Sequence, residues 1–147
     1  FSNRGTSGID GSTSTAIGAA LLSKTPTILL TGDLSFFYDS NALWNNYISR
    51  NFKVILINND GGGIFRILPG KEESSNFNTY FETTHNLTAV HLCEMFGFDY
   101  YAASNLETVT EGVEKICQND NKPQLLEVFT PRKDNDSTLI DYFKHFN

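Results

Sequence analysis

Two short aliphatic and β-branched runs, TILLT at 27–31 and KVILI at 53–57, stand out in the pattern of apolar and polar positions along this chain. Runs of this length and continuity predict strands covered on both faces in a parallel sheet. Around them the apolar positions recur at helical spacing. Residues 12–23 read as a helix with Ala16, Ile17, Ala19, Ala20 and Leu21 as its stripe and Pro26 as its stop. Residues 40–48 read as another, with Leu43, Trp44 and Tyr47 packing inward. The stretch 61–85 is rich in Gly, Ser and Asn and predicts only short structure; a loop this long in a compact domain is functional or disordered, and disorder is expected unless ligands or a neighbouring domain pin it. Beyond it come a helix at 88–96 ending at Gly97, a strand at 99–103, and a helix at 106–118 capped by Asn105. The stripe of that helix is Leu106, Val109, Val113 and Ile116. A strand at 124–130 and a final amphipathic helix at 137–146 complete the series. Strands alternating with helices predict an α/β domain, a doubly wound, mostly parallel sheet with helices on both faces. No repeat or second-domain boundary interrupts it.

Both strong runs end in oxygen donors. Gly32-Asp33 closes the first and Asn58-Asn59 the second, with the 24 residues 34–57 between Asp33 and Asn58. In an open α/β sheet ligands bind at the carboxyl ends of strands, so neighbouring strands would gather Asp33, Asn59 and the carbonyls of Gly61, Gly62 and Gly63 around one point. A carboxylate, an amide oxygen and a backbone carbonyl form a hard-oxygen set suited to Mg²⁺, which takes its remaining ligands from water and a phosphorylated partner. Leu34 and Ser35 begin a turn or helix just after Asp33, where free backbone N–H groups favour an anion.

The words that carry these residues, NRGTSGIDG at 3–11, GDLSFFYDSNALW at 32–44 and NNDGGGIFRILP at 58–69, narrow the reading further. They resemble the thiamine-diphosphate enzymes, whose metal motif reads Gly-Asp-Gly, some two dozen residues, then Asn-Asn. Among these they look like the 2-succinyl-5-enolpyruvyl-6-hydroxy-3-cyclohexene-1-carboxylate (SEPHCHC) synthases of menaquinone biosynthesis, where leucine is the usual residue after the aspartate. The resemblance implies residues 1–147 as the carboxyl-terminal, diphosphate-binding domain of a longer three-domain chain, and a homo-oligomer, dimer or tetramer. It implies thiamine diphosphate and Mg²⁺ or Mn²⁺ as cofactors, with Asp33, Asn59 and the Gly61 carbonyl as metal ligands. Ile9, Gly32, Leu34, Ser35 and Ile64 would contact the cofactor, Ile9 as the wedge that bends it. Arg4, Ile64, Phe65 and Leu68 would face the substrates, 2-oxoglutarate and isochorismate, Arg4 gripping a carboxylate with its planar fork. The activating glutamate belongs to the amino-terminal domain of a partner subunit in that family, so no catalytic residue is assigned here and the isolated chain should not turn over. An acetolactate-synthase-like enzyme or a simple 2-oxoacid decarboxylase is the nearest alternative; a metallophosphoesterase or a non-catalytic domain is a distant one.

Composition removes several other classes. The net charge is −6 with a sequence pI near 4.9, and the 11 Lys and Arg are dispersed, which argues against a nucleic-acid surface. No apolar stretch reaches the roughly 20 residues of a membrane span and no signal-type start is present, so a cytoplasmic address is the default. Cys93 and Cys117 fit no metal spacing and are expected to be reduced, buried small hydrophobes. His85, His91 and His145 lie apart and read as ordinary polar residues. Arg66 reads as a surface charge, and Glu72, Glu73 and Glu82 as solvated loop charges. No dinucleotide or P-loop glycine signature and no nucleophile elbow occurs.

Overall fold

The computed structural model describes residue 2 and residues 8–68, 74–118 and 121–145. Four strands, β1 (Thr27–Gly32), β2 (Phe52–Asn58), β3 (Asp99–Ala103) and β4 (Gln124–Phe129), form one parallel sheet in the order β1-β2-β4-β3. β1 and β2 are level, Thr27 opposite Phe52 and Gly32 opposite Ile57, so Asp33 and Asn58 leave the sheet side by side. This is the α/β architecture that the alternation of runs predicts.

Period-two alternation divides the core between two faces. Val54 and Leu56 of β2 and Leu125 of β4 pack with Ile17, Ala20, Phe36 and Cys93 on one face. These come from α1 (Ser12–Leu22), α2 (Asp33–Tyr38) and α3 (Val90–Phe96). Leu126 and Val128 of β4 pack on the opposite face with Ile116, Val109 and Val113 of α4 (Leu106–Gln118). α4 covers β3 and β4, so β1 lies open on that side. Ile28 and Leu30 are 50% and 68% exposed, and the expectation of burial on both faces holds for β2 but not for this edge strand. α5 (Asp134–Lys144) buries none of its side chains and meets the turn Gly63–Arg66.

The predicted helix at 40–48 is replaced by α2, which starts at Asp33, and a single 3₁₀ turn, Ser40–Leu43. Two side chains shape this stretch, and the first is Asp39, buried between α2 and the turn. Its carboxylate accepts from the N–H and hydroxyl of Ser14 in α1, both at 2.6 Å, and fixes the end of α2. The second is Asn45, whose side chain donates to the Ala42 carbonyl at 2.6 Å and accepts the Tyr47 N–H at 2.8 Å, and so turns the chain out of the helix. Leu43 is buried as expected, whereas Trp44 and Tyr47 face outward. In α1 the stripe narrows to Thr13, Ile17 and Ala20, leaving Ala19 and Leu21 exposed. Asn105 caps α4 by accepting the Thr108 N–H at 2.9 Å, as expected, and Leu106 falls off the apolar stripe.

Cys93 is a buried free thiol, but Cys117 is exposed, because the stripe ending at Ile116 turns the next position outward. Burial first, and the charge of Glu127 second, push the Cys93 thiol up from 9.0 to about 12. The folded state therefore holds this proton more tightly than the unfolded chain. The contribution to stability is intact below pH 9 and is lost as pH rises toward 12. A thiol reagent at pH 8 is expected to modify Cys117 rapidly and Cys93 only on unfolding; two fast thiols by mass spectrometry would contradict this.

Candidate active site: a carboxylate and glycine turn at the strand ends

Asp33 is the first residue of α2, with Gly32 in extended conformation before it, and its carboxylate is almost fully buried. The turn that follows β2 closes onto this group. Oδ2 accepts the N–H of Asn59 at 3.1 Å and that of Gly61 at 3.0 Å, and Oδ1 accepts the N–H of Leu34 at 2.7 Å. Burying a carboxylate without such donors would cost several kcal/mol, on the order of 2–7 even for a neutral polar group. Three backbone N–H groups offset that penalty without neutralising the charge. A carboxylate has about four lone-pair positions, so Oδ1, with one donor, keeps one for a further ligand.

The glycines make this closeness possible. Gly61 has φ 150°, and a Cβ there would lie 2.7 Å from the Glu82 carbonyl oxygen. At Gly63 a Cβ would lie 2.8 Å from Nδ2 of Asn59, so the Asn59 amide rests in space that any other residue would fill. The donor set of one carboxylate, one amide and one turn carbonyl is hard and oxygen-based, and it fits Mg²⁺ in kind. Among the described residues no group of three or more His, Cys, Asp and Glu is placed to hold a metal. A metal here would depend on this single carboxylate with neutral oxygens.

The stretch 61–85, expected to lack order, is folded over its described residues. It carries the 3₁₀ turn Gly63–Arg66 and a π turn, Phe77–Phe81. Arg66 and Glu82, read as a surface charge and a solvated loop charge, are instead a buried bidentate pair at 2.5 and 2.6 Å. The reason is long-range: the Glu82 carbonyl accepts the Gly62 N–H at 2.6 Å, which brings the far end of the loop back onto the glycine turn. Glu72 and Glu73 lie outside the described residues, as does Arg4.

A cleft of about 620 Å³ opens over this turn, within the range of small-molecule sites. It gathers Ile9, Gly32, Asp33, Leu34, Ser35, Asn59, Gly61, Ile64 and Phe65, all singled out from the sequence. Leu68 is not part of this wall and is half exposed. Ile9 is tied in place by Ser35, whose hydroxyl donates to the Ile9 carbonyl at 2.6 Å and receives the Ser12 hydroxyl at 2.7 Å. The Ser35 proton is therefore committed to the chain itself here. Its role is to fasten the Ile9 loop beside Asp33.

Sequence reasoning missed four lining residues, Tyr38, Tyr80, Phe81 and Thr83. Tyr38 was within reach, since it lies four positions after Leu34 and shares its helix face. The other three arrive through the loop closure and have no local signal. His85 was missed too. Its Nδ1 accepts the Leu87 N–H at 3.1 Å, which leaves the ring proton on Nε2, and Nε2 lies 3.3 Å from Oδ2 of Asp33 without an aligned hydrogen bond. Phe37 holds the ring edge-on.

Residues 1–128 match the family model described as thiamine pyrophosphate enzyme, C-terminal TPP binding domain. The chain belongs to this family. Curated relatives named 2-succinyl-5-enolpyruvyl-6-hydroxy-3-cyclohexene-1-carboxylate synthase share most of its length. The Flavobacterium psychrophilum protein is 63% identical over 99% of this chain and 26% of its own. That of Flavobacterium johnsoniae is 60% identical over 98% and 26%, and that of Christiangramia forsetii 58% over 97% and 25%. The chain thus spans about a quarter of the length of the curated relatives it matches. The likeness to SEPHCHC synthases that the three motif words suggested extends over nearly the whole chain, and the glycine turn lies inside the matched thiamine pyrophosphate domain. Among the described residues no helix is long and apolar enough to cross a membrane.

Proposed function

We propose that this chain is the diphosphate-anchoring, carboxyl-terminal domain of a longer SEPHCHC synthase, which decarboxylates 2-oxoglutarate and adds the remaining four-carbon unit to isochorismate. The observation that carries the reading is the buried Asp33 carboxylate, held by the backbone N–H groups of Asn59 and Gly61 beneath a cleft that also holds Ile9. Thiamine diphosphate, when bound, supplies the electron sink for decarboxylation and carbon–carbon bond formation. The chain's own residues bind and orient. Asp33, the Asn59 amide and the Gly61 carbonyl would hold Mg²⁺ or Mn²⁺ beside the diphosphate. Gly32 and Leu34 border that group, and Ser35 secures the Ile9 loop through its hydrogen bond. Ile9 would wedge against the cofactor, and the apolar wall of Ile64 and Phe65 would keep water from the cleft. Arg4 and Leu68 are assigned to the substrates on family resemblance alone.

A homo-oligomer completes the site in this reading, because the activating glutamate comes from the amino-terminal domain of another subunit. The full-length parent, given thiamine diphosphate, Mg²⁺, 2-oxoglutarate and isochorismate, is expected to release CO₂ and form SEPHCHC, detected by mass. The 147-residue chain alone is expected to show no turnover under the same conditions. Robust turnover by the chain alone would remove the assignment of the activating group to another domain, and no SEPHCHC from the parent would remove the proposed function.

A further inference from the structure

Glu127 lies in the middle of β4, where the neighbouring positions are aliphatic, and its side chain is fully buried. It is not among the residues that line the cleft. Its carboxylate is nevertheless heavily hydrogen-bonded. Oε2 accepts the hydroxyls of Thr88 and Tyr100, both at 2.7 Å, and the Ala89 N–H at 3.1 Å; Oε1 accepts Nδ2 of Asn58 at 2.7 Å. All these donors are uncharged, and a buried carboxylate held this way keeps a fixed position.

The Asn58 contact leads directly to the glycine turn. Asn58 is the last residue of β2, and its side chain is buried. Its Nδ2 also donates to the Leu87 carbonyl at 2.9 Å, and its Oδ1 accepts the Asp60 N–H at 3.1 Å. That last bond helps hold Asp60 in the left-handed region, φ 60°, which is unusual for a residue with a side chain. The turn so shaped aims the Asn59 and Gly61 N–H groups at Asp33. A single chain of contacts therefore runs from Glu127 through the Asn58 amide to the residues around Asp33.

We propose that Glu127 is a positioning residue for the metal–diphosphate site, acting through Asn58, which it locks in the one amide orientation that shapes the 58–61 turn. The inference rests on the reading of Asp33, Asn59 and Gly61 as a metal site. The isosteric change Glu127→Gln shows why charge and acceptor count matter. Thr88, Tyr100 and Ala89 present three donors, so the glutamine oxygen stays with them and its NH₂ faces the NH₂ of Asn58. Asn58 could answer by flipping its amide. That would break both its bond to Leu87 and its bond to Asp60.

The test uses the full-length parent and Mn²⁺ binding in the presence of thiamine diphosphate, read by electron paramagnetic resonance and so independent of turnover. Glu127→Gln and Asn58→Ala are each expected to weaken Mn²⁺ binding roughly 10–100-fold, the usual effect of changing the groups that orient metal ligands. The rate at saturating metal and cofactor should fall less than about threefold. The double variant should be no weaker than the worse single one, as expected for residues in one chain of contacts. Tyr100→Phe is the control: it removes a donor from the other carboxylate oxygen and should lower thermal stability while leaving Mn²⁺ affinity within about twofold. If Glu127→Gln does not fold, Asn58→Ala carries the comparison. Mn²⁺ affinity within twofold of wild type in Asn58→Ala, or a loss in Tyr100→Phe as large as in the other two, would overturn the proposal. A wild-type parent that binds no Mn²⁺ with thiamine diphosphate would overturn the underlying metal-site reading before any variant is compared.

Discussion

Replacing Asp33 with alanine in the full-length parent is expected to weaken the binding of thiamine diphosphate with Mg²⁺ by at least ~100-fold, about 2.7 kcal/mol, in a calorimetric titration. Two losses add. The single carboxylate among the proposed ligands disappears, and the N–H groups of Asn59 and Gly61 lose their shared acceptor. An orphaned buried donor costs on the order of 1–3 kcal/mol, so the turn itself should relax away from the geometry that holds the Asn59 and Gly61 N–H groups against this position. Asp33→Asn separates the two effects. It keeps one oxygen for the Asn59 and Gly61 N–H groups while removing the charge, but turns its NH₂ onto the Leu34 N–H, so the melting temperature should fall less than in Asp33→Ala while metal affinity still falls. Equal affinity in wild type and Asp33→Ala would remove the metal assignment altogether.

Local pattern carried far in this chain, and it failed where distant segments meet. β1 and β2 were legible because each is an unbroken aliphatic run followed at once by polar turn residues, and Asp33 and Asn59 were legible because they sit directly at those ends. Neighbouring parallel strands then bring them together with no further information. The open face of β1 was not legible, since Ile28 and Leu30 look the same whether or not a helix covers them. The helix at 40–48 gives way to a short turn where the Asn45 side chain bonds the Ala42 carbonyl and the Tyr47 N–H, and α2 before it ends at Asp39, held by a long-range contact to Ser14 that no window of sequence contains. The same limit hid Glu127. A carboxylate inside LLEVF is a local anomaly, and the donors that explain it come from β2, β3 and the start of α3.

The loop closure gives the largest expected change in stability. Glu82→Ala is expected to destabilise the described part of the 61–85 segment by ~3–5 kcal/mol, the usual consequence of removing one member of a buried ion pair. Arg66 is enclosed by the protein, and its guanidinium lies 5.8 Å from the centre of the Phe77 ring, so it cannot reach water without moving the loop. Hydrogen exchange in the full-length parent should show amide protection across the described part of this segment falling ~100-fold or more. Because Glu82 holds the Gly62 N–H through its own backbone carbonyl, cofactor affinity should fall with it. Replacing both partners by apolar residues of similar size, Arg66→Met with Glu82→Leu, removes both buried charges and should restore most of the protection. If affinity returns together with protection, the ion pair acts by closing the loop over the glycine turn. Protection unchanged in Glu82→Ala would show that the apolar contacts of Phe65, Phe77 and Phe81 hold the loop without it.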